Sequence, residues 1–210
     1  MIKTAPEGRW FIVAAFVILV VLLLVSKYWW FGLLWLPIAI WVVAFFRDPA
    51  RPGERGEKLV IAPADGKVVS VLKVDEPAFH QAEAMRVSIF MNVFDCHVNR
   101  YPSSGTVAFR QYNPGKFINA AAEKASLENE QSSIGLLTAH GKILVRQIAG
   151  LIARRIVTDH HEGKEVAQGD RLGMIRFGSR VDVFLPLNAE ILVREGERTV
   201  AGVTVIARWA

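Results

Sequence analysis

In the C-terminal third, Gly178 and Ser179 lie between two strand-like runs, in Arg176-Phe-Gly-Ser-Arg180. A Gly-Ser pair there reads first as a hairpin turn, because glycine accepts positive φ and a serine hydroxyl can bond its own backbone. The same two residues can also rearrange a peptide bond. A serine Oγ can attack the preceding carbonyl, and glycine at that carbonyl removes the side chain that would obstruct the approach. The ester so formed can eliminate to dehydroalanine, which tautomerises and hydrolyses to a pyruvoyl group. A ketone electrophile is then made from serine. On these two residues alone both readings stand.

Two candidates could move the protons. His97 follows Asp95 and Cys96, and His161 sits beside His160 in Asp159-His-His-Glu162; imidazole exchanges its proton near neutral pH. Adjacent residues of a strand point to opposite faces, so at most one of His160 and His161 serves a given site, and the tetrad is a poor metal cage. The same divergence makes Cys96 a poor partner for His97, and Cys96 reads as packing. It is the only cysteine, so neither an intrachain disulfide nor a multi-cysteine zinc site can form. Asp65, in Ala62-Pro-Ala-Asp-Gly66, reads on its own as the Asp of a type I turn.

The elements that must position these residues fall into two parts. Residues 11 to 46 are almost wholly apolar, with Lys27 as the only charge. One helix of that length would reach about 54 Å, well past a hydrocarbon core of about 30 Å. The expected arrangement is a membrane-embedded helical hairpin, residues 11–25 and 28–46, turning near Ser26 and Lys27 with Tyr28, Trp29 and Trp30 at the interface. Lys3 and Arg9 precede it and Arg47, Arg51, Arg55 and Lys58 follow it, which predicts both ends, and the globular part, on the cytoplasmic side of the cell membrane. A cleaved signal sequence fits less well, because no small-residue cleavage site follows and the apolar stretch resumes.

Residues 1–48 thus read as an anchor and the charged, Pro- and Gly-rich residues 49–57 as a linker. From Lys58 to Ala210 short Val- and Ile-rich runs alternate with turn residues, at 67–74, 86–94, 105–112, 142–148, 172–177, 181–185, 190–195 and 199–206. They predict a mainly β domain, a sandwich or barrel-like fold. Residues 117–131, rich in Ala and Glu, read as helix or loop. The net charge of +5 is too mild for a nucleic-acid surface, whereas basic residues directly after an apolar segment suit anionic lipid headgroups.

Four stretches taken together carry a resemblance: Ala62-Pro-Ala-Asp-Gly-Lys-Val68, Ile89-Phe-Met-Asn-Val-Phe-Asp-Cys-His-Val-Asn-Arg-Tyr-Pro102, Gly150-Leu-Ile-Ala-Arg-Arg-Ile156 and the Phe-Gly-Ser segment. In this order they resemble the phosphatidylserine decarboxylase family, in its short bacterial and archaeal form, over nearly all of residues 58–210. The resemblance implies self-cleavage between Gly178 and Ser179 into a β chain, 1–178, and an α chain, 179–210. Ser179 becomes a covalent pyruvoyl cofactor, with no metal. It implies a catalytic role for His97 as acid and for Asp65 in orienting and charging the base that activates the serine; His161, read from the residues rather than from the resemblance, is a second candidate base. The substrate implied is phosphatidylserine in an anionic membrane, decarboxylated through a Schiff base to phosphatidylethanolamine. The cleaved chains would form a heterodimer, open to assembly with copies of itself. Three departures stand out: Arg100 replaces a second His of longer members, leaving the processing base open, Arg180 replaces a common Thr, and Glu130-Gln131 after Asn129 departs from an expected Asn-Glu-Arg pattern. Two rival functions remain at this stage, a pyruvoyl decarboxylase of a soluble amino acid and a membrane-tethered, non-enzymatic β-rich adaptor.

Overall fold

The computed structural model describes residues 3–24, 27, 29–118, 120, 128–151 and 155–210. They divide into two compact units, Met1–Ala50 and Arg51–Ala210.

In the first unit a 3-10 turn with proline at its start, Pro6–Gly8, leads into helix α1, Arg9–Leu24, and α2 follows as Trp30–Phe45. The two helices run antiparallel. At one end Thr4 bridges Arg47, the Ala5 N–H donates to the Phe46 carbonyl at 2.8 Å and the Asp48 N–H to Lys3 at 2.8 Å. Midway, Trp35 Nε1 donates to the Ala15 carbonyl at 2.9 Å, and at the other end Gly32 packs against Leu23 so closely that a side chain there would overlap it. The outward faces stay apolar, with Val17, Val20, Leu24, Leu33, Leu34 and Ile40 exposed. A helix pair apolar all round suits an apolar solvent. Pro6–Leu24 is long and apolar enough to cross a membrane, whereas α2 has 16 residues, about 24 Å. Of the residues expected at the hairpin turn, Ser26 and Tyr28 lie outside the described residues.

The second unit is built from strands, as the alternating patterns predict. In chain order they are β1 Leu59–Ile61, β2 Gly66–Glu76, β3 Ala82–Met91, β4 Val98–Arg100, β5 Gly105–Asn113, β6 Gln131–Thr138 and β7 Gly141–Ala149. Then come β8 Arg155–Thr158, β9 Glu165–Val166, β10 Arg171–Arg176, β11 Ser179–Pro186, β12 Ala189–Ile191, β13 Arg198–Thr199 and β14 Val205–Trp209. They form an eight-stranded sheet, β13-β2-β3-β11-β7-β6-β5-β9, and two three-stranded sheets, β4-β10-β8 and β1-β14-β12. The fold is mainly β.

Strand β6 was not expected. Its Gln131-Ser-Ser-Ile-Gly-Leu-Leu-Thr138 lacks alternation because it is buried along most of its length, polar residues included. The run 199–206 is interrupted by a turn, in which the Ala201 N–H donates to the Asp65 carboxylate at 2.7 Å. Residues 51–57, expected as a linker, are tied to the β unit. Arg51 pairs with Asp65 at 2.7 Å, Arg55 Nη1 donates to the Gly202 carbonyl at 2.7 Å and the Gly56 N–H to Gln168 at 3.0 Å. Most of 117–131 lies outside the described residues.

Strand β11 runs through the middle of the large sheet, between β3 and β7. Its odd residues Val181, Val183 and Leu185 enter the main core with Val87, Ile89, Val145 and Ile175. By the two-residue period of a strand, Ser179 shares that face and Arg180, Asp182 and Phe184 take the other. Arg180 is nearly fully buried, and its guanidinium grips Asp182 twice, Nε at 2.6 Å and Nη2 at 2.8 Å. Beside them the buried Glu76 accepts from Arg146 at 3.3 Å. Burial lowers the pKa of Arg146, and Asp182 and Glu76 oppose the shift.

Removing one partner of such a pair strands the other charge in the interior. Asp182→Ala is expected to cost about 3–5 kcal/mol by denaturant unfolding. Replacing both residues with apolar ones of similar volume is expected to cost less, and equal losses would mean the pair is not desolvated as described.

Candidate active site

Strand β10 belongs to a small sheet and β11 to the large one, so the chain must turn a corner between Arg176 and Ser179. It does so with two consecutive left-handed residues, Phe177 at φ 72° and Gly178 at φ 63°. Glycine tolerates this backbone; for a bulky phenylalanine it is strained, at about 1–3 kcal/mol. A Cβ on Gly178 would meet nothing, so conformation rather than space requires glycine here. At Gly150 the requirement is space, because a side chain there would overlap the Gly178 carbonyl oxygen.

Ser179 begins β11 opposite Met91 of β3 and Ala149 of β7. It is fully buried, and its Oγ has no hydrogen-bond partner among the described residues. A buried hydroxyl left without a partner is costly and calls for an explanation. His97 reaches the neighbouring residue: its Nε2 accepts from the Gly178 N–H at 3.3 Å, and its Nδ1 lies 3.0 Å from the Asp95 carbonyl. Because Nε2 accepts, Nδ1 carries the proton and donates it to that carbonyl, which fixes the neutral tautomer. The imidazole is fully buried. Its basic nitrogen is therefore aimed at the Gly178-Ser179 segment.

Asp95, which sequence reasoning passed over, sets this aim. Its carboxylate accepts from the Asn92 N–H at 2.9 Å and pairs with Arg198, so the turn that presents His97 is tied at both ends. Asp65 comes just before β2, whose Lys67 pairs with Phe90 of β3. Its oxygens are held by Arg51 and the Ala201 N–H. Cys96 is its neighbour, buried and turned from His97, and burial raises the thiol's pKa. His161 is exposed, with Nδ1 3.2 Å from Arg110 Nη1, while His160 lies 3.2 Å from the Tyr101 hydroxyl. Both follow β8 beyond Thr158, whose partner Gly173 stands at the far end of β10 from Phe177. The structure thus brings His97 to Gly178-Ser179, while His161 follows β8 beyond the far end of β10 and Asp65 is bound to Arg51 and Ala201.

A buried polar chain runs between the sheets on the Ser179 face. Gln147 Nε2 donates to Asn99 at 2.8 Å, Thr158 Oγ1 lies 3.1 Å from Gln147 Oε1, and Ser132 and Thr158 share a bond at 3.0 Å. Asn129 adds a clamp, donating to the Ala149 and Ile118 carbonyls at 2.6 and 2.8 Å. Gln147 and Ser132 sat in runs with no motif around them, and only their burial as polar residues could have marked them. Among the described residues no group of three or more His, Cys, Asp or Glu is gathered as a metal site.

Two outcomes follow from this geometry. Gly150→Ala should slow any reaction of the Gly178 carbonyl at least tenfold, read as cleavage between 178 and 179 over time. Cys96 should resist iodoacetamide at pH 8 in the folded protein and be alkylated once it is unfolded, as checked by mass.

The comparisons with known proteins agree on one family. The model described as phosphatidylserine decarboxylase matches residues 38–207. A phosphatidylserine decarboxylase proenzyme of Azorhizobium caulinodans is 48% identical over 206 residues, covering 97% of this chain and 88% of the relative. One of Pelagibacter ubique is 45% identical over 210 residues, covering 98% and 96%, and one of Symbiobacterium thermophilum 48% identical over 205, covering 97% and 94%.

Proposed function

The chain belongs to the phosphatidylserine decarboxylase family, and on that premise we propose that it decarboxylates phosphatidylserine to phosphatidylethanolamine with a pyruvoyl group made from its own Ser179. The observation that carries this is the buried, unpartnered Ser179 Oγ beside a left-handed Gly178 whose N–H is held by His97. Family membership sets aside the soluble amino acid decarboxylase and the adaptor.

Self-cleavage starts when Ser179 Oγ attacks the Gly178 carbonyl carbon and passes its proton to a base. His97 Nε2 is the nearest candidate, once it gives up the Gly178 N–H. The C–N bond breaks, leaving an ester and a free amine on residue 179. Loss of the Ser179 α-proton then expels the Gly178 carboxylate, and the dehydroalanine left behind tautomerises and takes up water, releasing ammonia. Strain at Phe177 favours the step, because cutting the chain relaxes it. His161 and Asp65 stand apart from this chemistry, and Asp65 acts by pinning the turns at Arg51 and Ala201 against the loop that bears Cys96 and His97.

The pyruvoyl group supplies a ketone conjugated to an amide, an electron sink for the pair released with carbon dioxide. His97 holds the proton that returns to the substrate's α-carbon, and the polar chain of Asn99 and Gln147 offers hydrogen bonds on the same face. The α chain, 179–210, needs no covalent tie after cleavage. It supplies β11 at the centre of the large sheet, β13 at its edge, and β12 and β14 of the small sheet with β1, so the cleaved product remains a heterodimer. The helix pair anchors the enzyme to the cytoplasmic face of the cell membrane, by the basic residues that flank it.

Mass measurement of the denatured protein is expected to give two fragments, the smaller beginning at residue 179, blocked at its N-terminus and reactive to hydroxylamine. Ser179→Ala should remain one chain, and a cleaved Ser179→Ala protein would sink the assignment. His97→Gln should lower turnover of phosphatidylserine by about 10²–10⁴ with the tertiary fold intact by near-UV dichroism.

A further inference from the structure

We propose that the loops at the Ser179 end of the eight-stranded sheet form a lip that enters the bilayer interface through Phe94 and Leu151. The inference rests on the reading that the substrate is a membrane phospholipid, and it adds where the β unit meets that membrane.

Strand register defines one end of the sheet. Ser179 pairs with Met91 and Ala149, Gln131 with Ile148, and Asn113 with Gln131. The last residues of β3, β5 and β7 and the first of β6 and β11 therefore share an edge. The chain leaves that edge through residues 92–97, 114–118 and 150–151 and enters it through the Phe177-Gly178 corner. Phe94 is 72% exposed and Leu151 71%, with Tyr112, at the end of β5, next at 58%. Every other exposed large apolar side chain of the β unit is at 48% or less, and apart from Phe117 these are spread over other strands and turns. The most exposed apolar groups are thus gathered on the edge that carries the reacting serine, and Phe117 in the 114–118 loop joins them. Apolar side chains gathered in one exposed patch with a polar rim mark an interaction surface. At Phe94 the turn is hydrogen-bonded: the Phe94 N–H donates to Asn92 Oδ1 at 2.8 Å, and Asp95 closes the same turn.

Charge chooses the occupant. Lys67 and Arg155 are exposed on this edge, Lys67 opposite Phe90 and Arg155 opposite Arg176, and the Arg198 side chain is 61% exposed beside them. Among the described residues Asp95 is engaged with Arg198 and Glu128 with Lys116, and the exposed Glu195 lies beside Lys67. Apolar tips ringed by cations fit a sheet of anionic headgroups over acyl chains. With the lip seated, a diacyl substrate needs to lift only its headgroup toward Ser179.

The test uses the full chain reconstituted in vesicles of phosphatidylcholine and phosphatidylserine. Cys96 is buried, so a nitroxide on Leu151→Cys labels that loop alone, and Leu187→Cys, at the far end of β11, serves as the control. The label at 151 should be reached by oxygen and shielded from a water-soluble nickel chelate, and the label at 187 the reverse. Equal access of the chelate to both overturns the lip, and so does shielding at 151 that persists in detergent alongside a doubled mass, which would seat a second copy there. In parallel, Leu151→Asp, alone and with Phe94→Asp, should lower kcat/KM on vesicle-borne phosphatidylserine at least tenfold while self-cleavage and turnover of a dispersed short-chain phosphatidylserine stay unchanged. An equal loss on both substrates also overturns it. Should the unsubstituted protein turn over neither lipid, the substrate reading fails, while the spin-label depth still decides the lip.

Discussion

Strand β11 is hydrogen-bonded on both sides from its first residue, between β3 and β7, and most of what the molecule can do depends on that constraint. A strand in the middle of a sheet cannot shift by one residue without turning every side chain to the wrong face. Val181, Val183 and Leu185 lock the register by filling the core, and the chain immediately before them must then make its corner within Phe177 and Gly178. The strained φ at Phe177, the open space beside Gly178 and the buried Ser179 Oγ are consequences of a corner with no slack. Backbone strain of this kind persists where the surrounding structure over-determines it.

The two faces of β11 are stabilised differently. On the Ser179 face, an apolar core meets a polar chain in which Asn99, Gln147, Thr158 and Ser132 satisfy one another across two sheets. On the other face, Arg180 and Asp182 bind each other bidentately amid Arg146 and Glu76. Buried charges are expensive unless paired, and pairing residues two apart on one strand keeps the cost local. That arrangement also explains how Arg180 can follow Ser179 without sharing its face: successive side chains leave the strand on opposite sides. The departure at position 180 thus changes the far face of the sheet and leaves the Gly-Ser corner intact.

His97 illustrates how a short motif becomes a site. Asp95, Cys96 and His97 are consecutive, yet the Asp95 carboxylate is spent on closing a turn, Cys96 packs toward Asp65, and only the imidazole faces Gly178. The His97 imidazole is oriented by the Asp95 backbone carbonyl rather than by a carboxylate, so the neutral tautomer whose Nε2 accepts from the Gly178 N–H follows from the loop's own geometry. Asp65 contributes at one remove, by fastening the chain around Arg51 and Ala201.

Much of this was legible in the residues alone. Period-two runs of Val and Ile announced the strands, the apolar run to Phe46 announced paired helices, and Gly178-Ser179 and His97 stood out by type and motif. Other parts could not be read there. β6 carries Gln131, Ser132 and Ser133 into the interior, against the ordinary link between polarity and exposure. Gly150 and Asn129 matter through a carbonyl that pairing brings beside them, and the partners that His161 and Asp65 take, Arg110 and Arg51, are not their neighbours in the chain. By itself the sequence determined the strand periodicity, the apolar segment and the chemistry available to each side chain, because these depend on neighbours a few residues apart. Which groups meet was decided only by tertiary structure, since Gly178 and His97 are brought together by pairings between strands far apart in the chain.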